Sequence, residues 1–78
     1  MTELKKLSDL KTGQKGRLVE VKGDNALHRR LLDMGLVKGA MVEVEKVAPL
    51  GDPIEIRVRG YNLSLRKEES KNITVEVE

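Results

Sequence analysis

The 78-residue sequence contains no cysteine, no tryptophan and no phenylalanine, and its one aromatic residue is Tyr61. Without cysteine there is no disulfide framework and no thiolate metal site, which fits a reducing compartment. Without rows of aromatics there is no platform for stacking single-stranded nucleic acid and no groove for proline-rich peptides. No apolar stretch approaches the roughly 18 residues of a membrane span, and no signal-peptide core follows Lys5 and Lys6. The expectation is therefore a cytoplasmic protein with no direct membrane insertion. Thr2 gives no myristoylation signal and the Val-Glu-Val-Glu end is no prenylation box. A block of one charge is also missing: 15 Lys plus Arg stand against 13 Asp plus Glu, interspersed, for a net charge of +2. A duplex binder concentrates positive charge on one face, and this chain does not. One module over residues 1–78 is expected. A chain of that length buries only about 60% of its unfolded surface, which leaves little room for an enzyme cleft.

What is present is short-period alternation, punctuated by seven glycines and two prolines. After a turn-like stretch from Ser8 to Gly13, the segment Gly16 to Lys22 puts Val19 and Val21 on one face and Glu20 on the other. Met41 to Val47 places Val42 and Val44 inward, and Lys46 with Val47 breaks the alternation as a bulge would. Ile54, Ile56 and Val58 alternate with charged residues, and Tyr61, Leu63 and Leu65 alternate with Asn62 and Ser64, so these two segments predict a hairpin turning at Arg59 and Gly60. Ile73, Val75 and Val77 alternate with Thr74, Glu76 and Glu78 in a last strand. Between the first and second strands, Leu27, Leu31 and Met34 fall at i, i+4 and i+7, with Asp24 or Asn25 as N-cap and Gly35 past the end, which predicts a helix over 25–34. Lys67 to Lys71 reads as a helical turn before the last strand. Five strands with the helix after the first predict a mainly β fold, a small five-stranded SH3-like barrel, closed or nearly so. An OB-fold would place its helix between strands three and four.

Side-chain chemistry excludes more than it supplies. His28 is the only histidine and has neither a second histidine nor a cysteine with which to share a metal, so no metal site within the chain is expected, and His28 reads as a solvated helix-flank residue or as one ligand of a site shared between molecules. Ser8, Ser64 and Ser70 lack a histidine–carboxylate arrangement, and the glutamates lie on solvated strand faces. No Walker or dinucleotide motif occurs, so no cofactor and no direct nucleotide binding are expected. The helix carries one detail that the core does not absorb. At about 100° per residue, Leu31 and Met34 lie within roughly 40° of Leu27, whereas Leu32 falls near 140°, beside His28. Two readings fit Leu32: it is covered by Leu4, Leu7 or Leu10 of the leading segment, or it is an exposed docking residue. Arg29 and Asp33 are spaced for an i,i+4 pair, with Arg30 beside them. Leu50, in the stiff stretch Pro49-Leu50-Gly51-Asp52-Pro53, is a second apolar candidate, either a contact with the barrel bottom or an exposed tip.

The run Arg30-Leu31-Leu32-Asp33-Met34-Gly35-Leu36 with Gly39 and Met41-Val42-Glu43-Val44 resembles the helix-to-strand pattern of the FeoA family. Pro49-Leu50-Gly51-Asp52-Pro53-Ile54, then Val58-Arg59-Gly60 and Leu63-Ser64-Leu65-Arg66-Lys67-Glu68-Glu69, resembles that family's later segments, with Ser64 and Ser70 where alanine is usual. The "GDP" letters are a turn sequence unrelated to the nucleotide. The resemblance runs from about Leu7 to Val77. It implies a cytoplasmic accessory protein of ferrous iron transport, acting on the FeoB transporter through its cytoplasmic GTPase region. It is also similar to the C-terminal barrel of DtxR-like repressors, without their helix-turn-helix. The partner-binding residues expected on this reading are Leu32, His28, Arg29, Arg30 and Leu50, with Arg29 or Arg30 as a candidate arginine finger. Two other classes compete. One is a nucleic-acid-binding small β-barrel, from Gly16-Arg17-Leu18-Val19; the other is self-association through strand edges at Met41–Val47 or Ile73–Val77.

Overall fold

The alternating segments build one antiparallel sheet, and the helical segment sets Leu27, Leu31 and Met34 against the core. A computed structural model describes residues 3–77; the expectations for Thr2 and Glu78 fall outside the described residues. The strands are β1 (Glu3–Lys6), β2 (Lys15–Val21), β3 (Met41–Val47), β4 (Ile54–Val58), β5 (Tyr61–Leu65) and β6 (Ile73–Val77). The helices are α1 (Asn25–Asp33) and α2 (Lys67–Ser70), and a 3₁₀ turn spans Leu7–Asp9.

Two expectations are corrected. Among the described residues there are six strands rather than five, because the leading segment pairs with β6 from Glu3↔Val77 to Lys6↔Thr74. The sheet is also open: its order β1-β6-β2-β3-β4-β5 leaves β1 and β5 as edges that do not pair with each other. The segments named for edge pairing, Met41–Val47 and Ile73–Val77, are therefore interior strands with a neighbour on each side. The core is aliphatic, built from Leu7, Leu10, Leu18, Leu31, Leu36, Val42, Val44, Ile54, Ile56, Val58, Leu65, Ile73 and Val75. Val19 is not the inward residue that simple alternation predicts. The β2–β6 register shifts between Leu18 and Glu20, so Leu18 is buried and Val19 is the bulged, half-buried position. On β3 the expected bulge is present, with the register shifting between Val44 and Lys46.

Local signals account for the elements that hold the site. Asp24 caps α1, its Oδ1 accepting the Leu27 N–H at 2.8 Å. At the other end Gly35, with φ +92°, lets the chain reverse. Its N–H reaches the Leu32 carbonyl, and the Leu36 N–H reaches the Leu31 carbonyl, both at 3.0 Å, while Leu31 and Leu36 pack together in the core. Leu27 and Met34 are half-buried against that core, which completes the expected stripe.

Candidate functional site

The outer face of α1 is where the sequence placed its partner contacts. His28, Arg29 and Leu32 are exposed there, Leu32 keeping 40% of its surface. Leu32 stays exposed although Leu7 and Leu10 of the leading segment lie in the core, and Leu4 is exposed on edge strand β1. Arg29 and Arg30 line a shallow hollow with Asn25, Ala26, Asp33 and Met34. The expected Arg29–Asp33 pair is not among the ion pairs of the described residues. Arg30 instead reaches α2, with its guanidinium 2.7 Å from Oε2 of Glu69.

Leu50 is the most exposed large apolar side chain among the described residues, at 93%, so the barrel-bottom reading of it is corrected. It stands at the tip of a turn closed by hydrogen bonds from Gly51 N–H to the Ala48 carbonyl (2.7 Å) and from Ala48 N–H to the Pro53 carbonyl (3.1 Å). The same turn supplies Asp52, whose Oδ1 accepts the Lys67 N–H at 3.0 Å. That N–H opens α2, whose N-cap residue Arg66 has no side-chain acceptor to offer. Glu69 Oε1 accepts the Arg66 N–H at 2.9 Å, so one carboxylate closes the start of α2 and binds α1. The Ser70 hydroxyl, buried, donates to the Lys67 carbonyl at 2.7 Å, which satisfies its polar group inside the fold. Thus α2 links the two candidate elements, though the hollow beside α1 and the one beside the turn share no residue.

Sequence reasoning missed Tyr61. Its hydroxyl donates to the Met34 carbonyl, joining the start of β5 to the C-terminus of α1. No local pattern announces that bond between residues 27 positions apart. On the outer face of the sheet Arg17 lies opposite Glu76, Lys15 opposite Glu43, and Glu43 opposite Arg57, which pairs with Glu45 at 3.1 Å. Charges of both signs are interspersed on these strands. Among the described residues no three or more His, Asp or Glu side chains gather as a metal cluster. No helix among them is long and apolar enough to cross a membrane.

Residues 5–77 match the FeoA domain family. The chain belongs to the FeoA family. A FeoA-like protein from Clostridium acetobutylicum, solved by NMR, is 42% identical and superposes with a TM-score of 0.88, over 99% of this chain and 90% of that one. The zinc-bound crystal structure of FeoA from Stenotrophomonas maltophilia, described as an SH3-domain protein, is 32% identical with a TM-score of 0.75, covering 96% of this chain and 88% of that one. The mainly β, SH3-like character of the fold is thereby established, with an open six-stranded sheet. A curated relative from Porphyromonas gingivalis, an Fe(2+) transport protein A/Fe(2+) transporter FeoB fusion protein, is 42% identical over 72 residues. That match takes in 92% of this chain but only 8% of the fusion protein.

Proposed function

We propose that this FeoA-family chain is a cytoplasmic accessory protein of ferrous iron transport. It docks on the cytoplasmic GTPase region of a FeoB-type transporter and shifts that protein's conformational balance. It acts by binding rather than by catalysis. The observation that carries the reading is the pair of exposed leucines on fixed elements: Leu32 on α1 and, at 93% exposure, Leu50 on a hydrogen-bonded turn. Rigid aliphatic side chains held in water are suited to filling pockets on a partner, because little conformational entropy is lost when they dock. The fusion in Porphyromonas gingivalis supports the choice of partner, since it joins a stretch similar to this chain to an Fe(2+) transporter. A fused domain meets its target at high effective concentration, whereas a separate chain must supply the affinity through its own surface.

Changing Leu32 or Leu50 to Asp is expected to abolish pull-down with the transporter's cytoplasmic domain while leaving the far-UV circular dichroism unchanged. Undiminished pull-down by both variants refutes the reading. The finger question narrows to Arg29, because Arg30 is held by Glu69. Stopped-flow GTP hydrolysis by the partner, unaltered by the wild-type chain, would eliminate it.

A further inference from the structure

The two open edges of the sheet are built differently. Edge strand β1 reads Glu-Leu-Lys-Lys, three charges in four residues, the usual device against edge pairing. Edge strand β5 reads Tyr-Asn-Leu-Ser-Leu and carries no charge, no proline and no bulge. Its ladder to β4 is regular from Val58↔Tyr61 to Ile54↔Leu65. Beyond that ladder, no backbone hydrogen bond to or from residues 61–65 occurs among the described residues. Its outer N–H and C=O groups are therefore available to another strand.

We propose that β5 pairs with the β5 of a second copy of this chain, antiparallel and centred on Leu63. The strand's pattern is symmetric about that residue. In this register Leu63 meets the partner's Leu63, Tyr61 meets the partner's Leu65, and Asn62 meets the partner's Ser64. Inner apolar side chains then face inner ones, outer polar side chains face outer ones, and no charges oppose each other. The two cores lie on the same side of a continuous sheet. A two-fold axis through Leu63 makes the contact self-complementary and closed. Two five-residue strands bury less than the roughly 1,200 Å² of a standard interface, so the dimer is transient, with a dissociation constant on the order of 1 mM.

The test is a dilution series of the full chain, from about 1 mM to about 20 µM, followed by amide chemical shifts and sedimentation. Concentration-dependent shifts confined to Tyr61–Leu65 and their β4 neighbours are expected. Asn62→Lys with Ser64→Lys places like charges opposite each other twice and is expected to remove the dependence. Asn62→Glu with Ser64→Lys places a carboxylate opposite an ammonium twice across the axis. Within the chain the new carboxylate also stands opposite Arg57, and the new ammonium opposite Glu55. This variant should tighten association roughly 2- to 30-fold. The proposal is overturned by no dependence at the highest concentration, by dependence mapping to β1 or α1, or by a Glu/Lys variant that associates no better than the Lys/Lys one. Shifts at β5 that appear only on adding a transporter domain would also overturn it and assign the edge to that partner instead.

Discussion

Replacing Glu69 tests how the helical pair is held. Its carboxylate makes two contacts at once, with the Arg66 N–H at 2.9 Å and the Arg30 guanidinium at 2.7 Å. The Glu69 side chain is only 12% exposed, while that of Arg30 is 58% exposed, so water screens the ion pair from one side. Loss of a capping acceptor costs about 1 kcal/mol. A half-exposed ion pair adds about 0.5 kcal/mol after screening. Glu69→Ala should therefore destabilise the chain by about 1.5 kcal/mol, or roughly 6–12 °C in melting temperature for a domain of this size. Glu69→Gln keeps an oxygen for the Arg66 N–H and loses the charge, so it should cost only about 0.5 kcal/mol. Far-UV circular dichroism melts and urea titrations of both variants, with Arg30→Met as the second arm of a double-mutant cycle, separate the contributions. Glu69→Ala within about 0.3 kcal/mol of wild type would refute the bracket role of α2, and equal losses for Ala and Gln would refute the cap.

A Cβ at Gly16 would lie 2.9 Å from Val75 Cγ2 and 3.2 Å from the Glu76 carbonyl oxygen, so Gly16→Ala must push β2 off β6; a urea titration should show a loss of about 1–3 kcal/mol. Tyr61→Phe removes the bond to the Met34 carbonyl and should cost about 1 kcal/mol, with faster amide exchange at Gly35 and Leu36. Arg59 sits at φ +51° and Gly60 at +87° in the two-residue β4–β5 turn, a pairing that favours asparagine before glycine. Arg59→Asn should raise stability by about 1 kcal/mol in the same assay, and a loss would contradict the turn assignment.

The parts legible in the sequence are those fixed by neighbours along the chain. The α1 stripe, its Asp24 cap and its Gly35 reversal need only nearby residues, as does the β4–β5 hairpin. Strand β1 was hidden because its only apolar residue, Leu4, is exposed, and its extended form comes from pairing with β6. Leu7 and Leu10 were legible as apolar but not as core, since a 3₁₀ turn rather than a strand or helix period directs them inward. The bulge at Val19 moved the inward face of β2 to Leu18, which a strict two-residue period cannot register. The docking candidates Leu32 and Leu50 stood out as apolar residues in polar settings. Tyr61–Met34 and Arg30–Glu69 are long-range polar bonds with no periodic trace.

Those long-range bonds bear on which side chains are left to meet a partner. Four residues of α2 would not hold a helical turn alone. Asp52 from one side and the Glu69 carboxylate from within satisfy its first N–H groups, and Arg30 then ties α1 to it. The acidic residue of the Gly-Asp-Pro stretch is thus engaged with a backbone amide, and Tyr61 with a carbonyl at the far end of α1. Arg30, Asp52, Tyr61 and Glu69 serve the frame. Leu32 and Leu50 are outside the core cluster, on elements that this frame fixes in place. Their exposure is therefore held by bonds made elsewhere, and the docking proposed for them would start from elements already fixed, which lowers the ordering cost of binding.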